Sequence, residues 1–420
     1  MEKLQEEFLM KKYFISNRVT LMKSEDDKFY ENDKDSELVN NEGEDTFSFN
    51  DFVEKIKSEV LEFINDSYSN IVVLAGAGAS VVFNDKKEID SNFGKTVSMI
   101  AEDISERMNE DSSLYSLQEL ATMSNYNEPV LNSSNGKFNY NFNLENFLSN
   151  LLTYEQFMQH TSDQEKFINS KNKILDLIKK NTNYDFDYSK MKHAALVKVL
   201  SESVKKPNKL TIVTTNYDTL FEEAAESMDF TVIDGFTFSY NPHFDSDMFE
   251  WNLVKEVPNI KTKEREYKRN IIDLLKIHGS LTWEYSSDGK KVNRRNKNHV
   301  KNPIMVFPSS NKYMQSYENP YFELFTKFQE LLRQKNTLLL TTGFSFADNH
   351  IAQMIIQAIK RNTGLAVLVS DYNIEQEHEN WLELEDLRKN HFRIAFLKAT
   401  LNEDLVNFLS NKRRSGYDYR

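Results

Sequence analysis

The chain has 420 residues, a formal charge of −13, 39% hydrophobic residues and no cysteine. This length allows more than one folding unit, and the lack of cysteine excludes disulfides, thiolate nucleophiles and cysteine-ligated zinc. The negative charge argues against a protein that wraps bare nucleic acid. No apolar run approaches the ~18–20 residues that span a bilayer, and the N-terminus lacks the order of a secretory signal. We therefore expect a cytoplasmic protein that makes no membrane contact.

The first 46 residues are predicted to form an arm and a linker. Apolar residues recur near helical spacing in residues 3–22, which predicts a helix. The polar run 23–45 has the composition of a linker or flexible loop. Because an arm that buries little by itself often docks on another subunit, we expect a homo-oligomer contact here.

From residue 47 onward, short strand-like runs alternate with helix-like stretches. Helical patterns cover 217–228, 317–335 and 349–362. The apolar runs are short and rich in β-branched residues, as expected for strands that are buried on both faces. They lie at 70–76, 209–215, 230–236, 273–279, 302–308, 336–343, 365–371 and 392–399. This alternation predicts an α/β fold, Rossmann-like, with a mostly parallel sheet and helices on both faces.

A long segment between the first two strand-like runs carries amphipathic helical patterns and no convincing strand. We interpret residues 97–205 as an inserted helical subdomain that covers one side of the sheet. The predicted organisation is therefore an arm at 1–46, a Rossmann domain built from 47–96 and 206–420, and the insertion.

The first motif of chemical interest is the sequence GAGAS at Gly76–Ser80, directly after an apolar run. Such a turn lets the backbone approach a pyrophosphate at a helix N-terminus. However, Val81 stands where the dinucleotide fingerprint has a third glycine, and no acidic residue ends a second strand about 20 residues later. Taken alone, the motif fits a nucleotide site and a plain tight turn equally well.

Three further motifs also stand at the ends of predicted strands. Asn216 and Asp218 follow the second run, His278 ends another, and Gly343 and Ser345 precede a predicted helix. Each has an ordinary structural explanation, such as a helix cap or a buried histidine. Because the carboxyl ends of parallel strands face one crevice, the four motifs are expected to converge there.

The order of these motifs resembles that of the sirtuins over about residues 70–350, apart from the insertion. The resemblance implies NAD as substrate. Asn216 would hold the nicotinamide ribose and the attacking water, Asp218 would face the nicotinamide carboxamide, and His278 would be the general base. The residues expected to bind the dinucleotide are Gly76, Ala77, Gly78 and Ser80 at the pyrophosphate, Gly343 and Ser345 at the adenosine half, and Thr215.

The sequence also departs from the sirtuin deacylases. It has no cysteine for their zinc module, and residues 304–314 replace the stretch that pairs with the acyl-lysine peptide. Structural zinc is therefore not expected, and water remains as the acceptor. The chain looks like the bacterial sirtuin-like NAD hydrolases of anti-phage defence, which implies nicotinamide and ADP-ribose as products.

An enzyme that depletes NAD needs a gate, and the residues after about 371 are too few for a second sensor domain. The resemblance implies control by assembly, with a HerA-type hexameric ATPase as partner and nucleic acid reached only through that partner. Two alternatives stay open: a non-catalytic module that senses NAD or ADP-ribose, and a protein deacylase or ADP-ribosyltransferase. The basic stretches 261–269 and 289–302 are either solvated or a surface for a partner, a phosphate-rich ligand or nucleic acid.

Overall fold

The protein is described by a computed structural model that covers residues 10–39, 47–65, 68–131, 136–139, 142–158, 162–257, 265–305 and 320–410. A ten-stranded sheet organises it, in the order β3-β2-β1-β16-β15-β14-β4-β5-β9-β6. These strands are β1 Met10–Ile15, β2 Thr20–Ser24, β3 Phe29–Glu31, β4 Asn70–Ala75, β5 Leu210–Thr214, β6 Thr231–Ile233, β9 Ile271–Lys276, β14 Thr337–Thr342, β15 Leu365–Asp371 and β16 Ile394–Lys398. All neighbouring pairs from β16 to β6 are parallel.

Short strands form three additional two-stranded sheets, and helices flank the main sheet. The short strands are β7 Val254–Glu256, β8 Arg265–Tyr267, β10 Gly279–Ser280, β11 Trp283–Tyr285, β12 Val292–Arg294 and β13 Ile304–Met305. The helices are α1 Phe49–Ile64, α2 Val97–Asn109, α3 Leu117–Met123, α4 Leu144–Phe157, α5 Ser162–Thr182, α6 His193–Ser203, α7 Leu220–Glu226, α8 Tyr321–Arg333, α9 Asn349–Arg361, α10 Glu379–Lys389 and α11 Val406–Leu409. None of the helices in the described ranges has the length and hydrophobicity needed to cross a bilayer.

The central strands are continuously apolar because both of their faces are buried. In β4, Val72 and Leu74 pack in one core with helices α8, α9 and α10, while Ile71, Val73 and Ala75 pack in a second core with α1, α6, α7 and α11. Alternate strand residues point to opposite faces, so one apolar run supplies both cores. The predicted α/β fold, with helices on both faces of a mostly parallel sheet, is confirmed.

The order in which the chain adds strands to the sheet changes side between β4 and β14. From β4 the chain moves to β5 and then to the β9–β6 edge, and it later returns to β14 on the other side of β4 before adding β15 and β16. In open α/β sheets, ligands bind at the carboxyl ends of strands beside such a reversal. The loops after β4 and β14 therefore flank the position where a ligand is expected.

The prediction of a helix over residues 3–22 is wrong for the part that the structure describes. The segment Met10–Ile15 pairs antiparallel with β16, and β2 and β3 extend the same sheet. The side chains of Phe14 and Leu21 are buried in the second core, so pairing with a sheet edge overrode the helical spacing. Residues 1–9 and 40–46, which belong to the predicted arm and linker, lie outside the described residues.

Two other local predictions also differ from the structure. The run 302–308 supplies only Ile304–Met305, which pairs antiparallel with β10 outside the main sheet, and residues 306–308 lie outside the description. In the insertion, helices α2 to α5 share a third core of their own, whereas α6 packs Leu196, Val197 and Leu200 against the sheet. The insertion therefore builds a separate apolar unit beside the sheet and returns to it through α6.

Part of the basic stretch 289–302 is neutralised within the fold. Arg294 pairs with Asp234, and the Nε atom of Arg295 lies 2.8 Å from an oxygen of Glu284. The ammonium of Lys297 lies 2.9 Å from Asp185 and 2.8 Å from Glu223. These three cations thus pair with carboxylates of the same chain, which weakens the case for a nucleic-acid surface here.

Candidate functional site

The glycine turn after β4 owes its composition to close packing against the loop after β14. The amide of Gly78 donates to the carbonyl of Gly343 at 3.0 Å, and that of Gly76 donates to Thr342 O at 3.1 Å. A Cβ on Gly76 would lie 2.5 Å from Gly343 O, and one on Gly343 would lie 2.2 Å from the amide nitrogen of Ala79. Gly343 also has a φ of +59°, which L residues rarely adopt. The glycines at these positions are therefore explained largely by the close packing of the two backbones against each other.

Polar side chains beneath this turn form a buried hydrogen-bond network. Ser80 Oγ donates to Asp218 Oδ2 at 2.7 Å, and the Asn216 side-chain amide donates to Ser80 Oγ at 2.9 Å and to Gly76 O at 3.0 Å. Asp218 also accepts from the Leu220 amide at 3.2 Å. Three of the residues predicted from sequence are therefore adjacent, and they hold the glycine turn to the start of α7.

The network continues into β9 through a buried lysine. The ammonium of Lys276 donates to the backbone carbonyl of Asp218 and lies 3.2 Å from Glu222 Oε1. Burial raises the pKa of Glu222, and the ammonium of Lys276 opposes this shift. A buried charge is tolerated only when it is paired and hydrogen-bonded, so this pair fixes the end of β9, which leads to His278, relative to the Asp218 loop.

His278 lies two residues after β9 and faces a carboxylate. Its side chain is 2% exposed, and its Nε2 lies 3.4 Å from Oδ2 of Asp348, whose side chain is 7% exposed. Asp348 is the N-cap of α9, since its Oδ1 accepts from the amides of His350 at 3.0 Å and Ile351 at 3.3 Å. The imidazole therefore has a fixed acidic neighbour on the loop that follows β14.

Two adjoining cavities lie over the carboxyl ends of the strands. The first, here the His278 cavity, has a volume of about 310 Å³ and is lined by His278, Thr215 and Gly76, among others. The second, here the Asp371 cavity, has about 480 Å³ and is lined by Asp371 and Gly78, among others. Both volumes lie in or near the range of small-molecule sites, ~300–1,000 Å³. The residues shared by their walls are Ala77, Val97, Ser98, Gly343 and Ser345.

The structure separates the predicted site residues into two groups. Residues that line at least one cavity are Gly76, Ala77, Gly78, Thr215, His278, Gly343 and Ser345. Asn216, Asp218 and Ser80 lie behind this surface; among the described residues that line the two cavities, none of these three is found. The predicted contact of Asp218 with a carboxamide would therefore require its hydrogen bond with Ser80 to open.

Sequence reasoning missed several residues that the fold brings to the cavities. Phe142, Asn143 and Glu145, from the start of α4 in the insertion, line the His278 cavity. Asp371 and the exposed Tyr372, at the end of β15, line the other. Asp371 could have been predicted from the sequence, because it ends an apolar strand in the same way as the motifs that were recognised. No pattern in the sequence pointed to the insertion residues.

A buried asparagine from the C-terminal segment supports the glycine turn from behind. The side-chain amide of Asn402 donates to Ala79 O at 3.0 Å and to Val81 O at 2.8 Å, and its oxygen accepts from the amide of Lys192 at 3.0 Å. Asn402 belongs to a single π-helical turn, Leu401–Leu405. The turn over which both cavities meet is thus fixed by contacts from distant parts of the chain.

The arrangement suits an elongated ligand with two lobes and a narrow middle. Small residues and backbone form the shared wall at Ala77, Gly343 and Ser345, where a pyrophosphate could approach closely. Carboxylates and an imidazole lie on the His278 side, and burial raises the pKa of Asp371 on the other side to about 6. Within the described ranges, no group of three or more His, Asp or Glu side chains is placed to hold a metal ion.

Comparisons with known proteins agree with part of this description. The family model of the SIR2-like domain matches residues 210–392, which includes the Asn216, His278 and Gly343 motifs but does not reach Gly76–Ser80. No curated protein matches the sequence. A chain from a solved structure described as "Structural Basis for the Mechanism and Regulation of Sir2 Enzymes" aligns with 85% of this chain and 96% of its own length. Its sequence identity is 11% and its TM-score is 0.36, so it supports neither a function nor a site, and the similarity to a SIR2-like domain rests on residues 210–392.

Proposed function

We propose that the protein cleaves the bond between nicotinamide and ribose in NAD⁺ and transfers the ADP-ribosyl group to water. The observation that carries this proposal is the pair of cavities that meet at Ala77, Gly343 and Ser345. A dinucleotide has the same outline, with two ring systems joined through a pyrophosphate. The match of residues 210–392 to the SIR2-like domain favours the same substrate.

In the proposed reaction the bond from C1′ of the ribose to the nicotinamide nitrogen breaks, and the electron pair leaves with nicotinamide. Positive charge then develops on the ribose, as in glycoside cleavage. The carboxylate of Glu145 in the wall of the His278 cavity stabilises that positive charge. A water oxygen adds to C1′, and His278 takes the proton that this water releases. The balanced products are nicotinamide, ADP-ribose and one proton.

Asn216 lies behind the cavity walls, and it is proposed to orient the ribose and the water indirectly, by holding the glycine turn in place. Its side-chain nitrogen faces Gly76 O and Ser80 Oγ, so its side-chain oxygen is turned away from these two atoms. The two hydrogen bonds hold the amide in one orientation, which a positioning role requires.

The test is incubation of the purified protein with NAD⁺, alone and together with a lysate or the protein encoded beside it, and quantification of nicotinamide and ADP-ribose by chromatography. We expect equal amounts of both products and a loss of at least about 100-fold in His278→Ala, because general-base catalysis contributes ~10²–10⁴-fold. Asn216→Ala should also lose activity, because it removes the hydrogen bonds that hold the glycine turn. The exposed His299→Ala is the matched control and should retain full activity. Saturable binding of NAD⁺ without nicotinamide release would support the sensing module instead. A modified protein acceptor in mass spectrometry would support the transferase alternative.

We further propose, from the resemblance of the motifs, that this activity depletes NAD during anti-phage defence and is controlled by a HerA-type hexameric ATPase. The insertion supplies Phe142, Asn143 and Glu145 to the His278 cavity, so a partner that moves the insertion would change the site. Nicotinamide release should then depend on the protein that is encoded next to this one and on the oligomeric state. The check is to measure release from each species separated by size-exclusion chromatography, with and without that protein. Equal activity of the isolated protein would contradict the gating.

A further inference from the structure

The two oxygens of Asp348 perform different tasks. Oδ1 accepts hydrogen bonds from the amides of His350 and Ile351 and thereby caps α9. Oδ2 lies 3.4 Å from His278 Nε2. The side chains of Asp348 and His278 are 7% and 2% exposed, so the carboxylate and the imidazole face each other almost out of contact with solvent.

Helix capping alone does not explain a carboxylate at this position. Serine, threonine and asparagine cap helices about as well as aspartate does, and each needs only one oxygen for it. Burying the charge of a second oxygen costs free energy unless a partner offsets it. The imidazole of His278, whose Nε2 lies 3.4 Å from Oδ2, is one such partner.

We infer that Asp348 is a positioning residue for His278, tying the orientation and basicity of the imidazole to the start of helix α9. The inference rests on the proposed function for its catalytic meaning, because His278 is the proposed base. A carboxylate beside a histidine holds the ring in one orientation and stabilises the imidazolium that forms when the ring accepts a proton. Asp348 itself does not need to touch the substrate's reacting atoms to do this.

Other ionisable groups lie near His278 and Asp348, and their effects on His278 must be distinguished from that of Asp348. Glu145, from the insertion, lines the same cavity as His278 and Asp348. Tyr217, on the loop after β5, has its pKa raised by burial and then by Glu145, Tyr321 and Asp348, so these four groups lie close together. From α8, the ring of Phe325 lies 6.4 Å from the imidazole. Glu145 is therefore the second carboxylate that could act on His278, and a Glu145→Gln variant serves as the comparison.

Asp348→Asn is the decisive variant, because asparagine keeps the helix cap and removes the charge. We expect kcat for nicotinamide release to fall about 10–100-fold while KM for NAD⁺ changes less than about 3-fold. The acidic limb of the kcat profile should move to lower pH, since an imidazole without its carboxylate loses its proton more readily. The melting temperature should stay close to that of the wild type.

The double variant His278→Ala/Asp348→Asn distinguishes action through His278 from a separate effect. If Asp348 acts through the imidazole, the double variant is no slower than His278→Ala alone. A further loss of about 10-fold in the double variant would overturn the inference. An unchanged pH profile in Asp348→Asn would overturn it as well.

A second readout does not depend on activity. In protein with ¹³C-labelled histidine, the His278 Cε1–H signal is assigned by its loss in His278→Ala and followed by NMR against pH. We expect its titration midpoint to fall by about 0.5–1 pH unit in Asp348→Asn, and by less in Glu145→Gln. An identical signal and titration in wild type and Asp348→Asn overturns the positioning role. Failure of the wild type to release nicotinamide, with the NMR shift present, overturns only the proposed function.

Discussion

The loops after β4 and β14 begin alike but use their side chains in opposite ways. Each follows a central parallel strand, contains glycine and serine, and lines both cavities. In the first loop Ser80 is buried and bonded to Asp218. In the second, Ser345 is exposed and Asp348 faces His278. The comparison indicates that the first loop is mainly a scaffold, and that the second brings reactive and ligand-facing groups to the cavities.

The largest effect is expected where the two loops touch. Gly343→Ala forces a residue with φ of +59° to carry a Cβ that would lie 2.2 Å from Ala79 N, so the loops must separate. We expect a loss of at least about 3 kcal/mol in the free energy of unfolding, measured by thermal and urea denaturation. Gly289→Ala is the matched control, with φ of +68° and no neighbour within 4 Å. It should cost only about 1 kcal/mol, and an equal cost at both positions would contradict the role of close packing.

Ser80→Ala tests the scaffold role of the first loop. It leaves Asp218 Oδ2 and the Asn216 amide without the hydroxyl that joins them, and removing one partner of a buried polar pair costs about 1–3 kcal/mol. The control is Ser113→Ala, which removes an exposed hydrogen bond of 2.6 Å to Asp111. Its effect on the melting temperature should be small. A comparable loss in the two variants would mean that burial of the network is unimportant.

The comparison extends to Asp371, at the end of β15, where the raised pKa of a buried carboxyl should make the free energy of unfolding depend on pH. Burial raises its pKa to about 6, above the ~3.9 of an unfolded aspartate. The native state therefore keeps this proton to higher pH than the unfolded chain, and the free energy of unfolding falls as pH rises from about 4 through about 6. Asp371→Asn should be more stable than wild type by about 1–3 kcal/mol at pH 8, with no gain at pH 4. The exposed Asp26→Asn should show no such difference in parallel melting curves; a gain that is independent of pH would contradict the assignment.

Ser345→Ala should have the smallest effect on stability. The side chain is exposed, so the free energy of unfolding should change by no more than about 0.5 kcal/mol. Because Ser345 lines both cavities, the KM for NAD⁺, or its dissociation constant from calorimetry, should rise a few-fold. A strong loss of stability with unchanged binding would reverse the roles assigned to the two loops.

Local patterns of the sequence predicted the central parallel strands better than they predicted the N-terminal segment or the roles of individual site residues. Continuously apolar runs such as Ile71–Ala75 identified the buried strands because both faces of a central parallel strand are covered. At Met10–Ile15, helical spacing was misleading, since pairing with β16 decided the conformation. The prediction that four motifs converge depended only on their position at strand ends. The assignment of roles within that group was less accessible, because hydrogen bonds to Ser80 place Asn216 and Asp218 behind the cavity walls.

By itself, the sequence determined the α/β class, the parallel strands of the central sheet and the residues that end them, because a strand that is buried on both faces is continuously apolar. The tertiary structure alone decided which distant loops touch. The order of strands places Gly76 against Gly343, brings Asp348 to His278 and lets the insertion line a cavity with Glu145. These contacts join residues far apart in the chain, and their geometry follows from the reversal of strand order between β4 and β14 rather than from any local pattern.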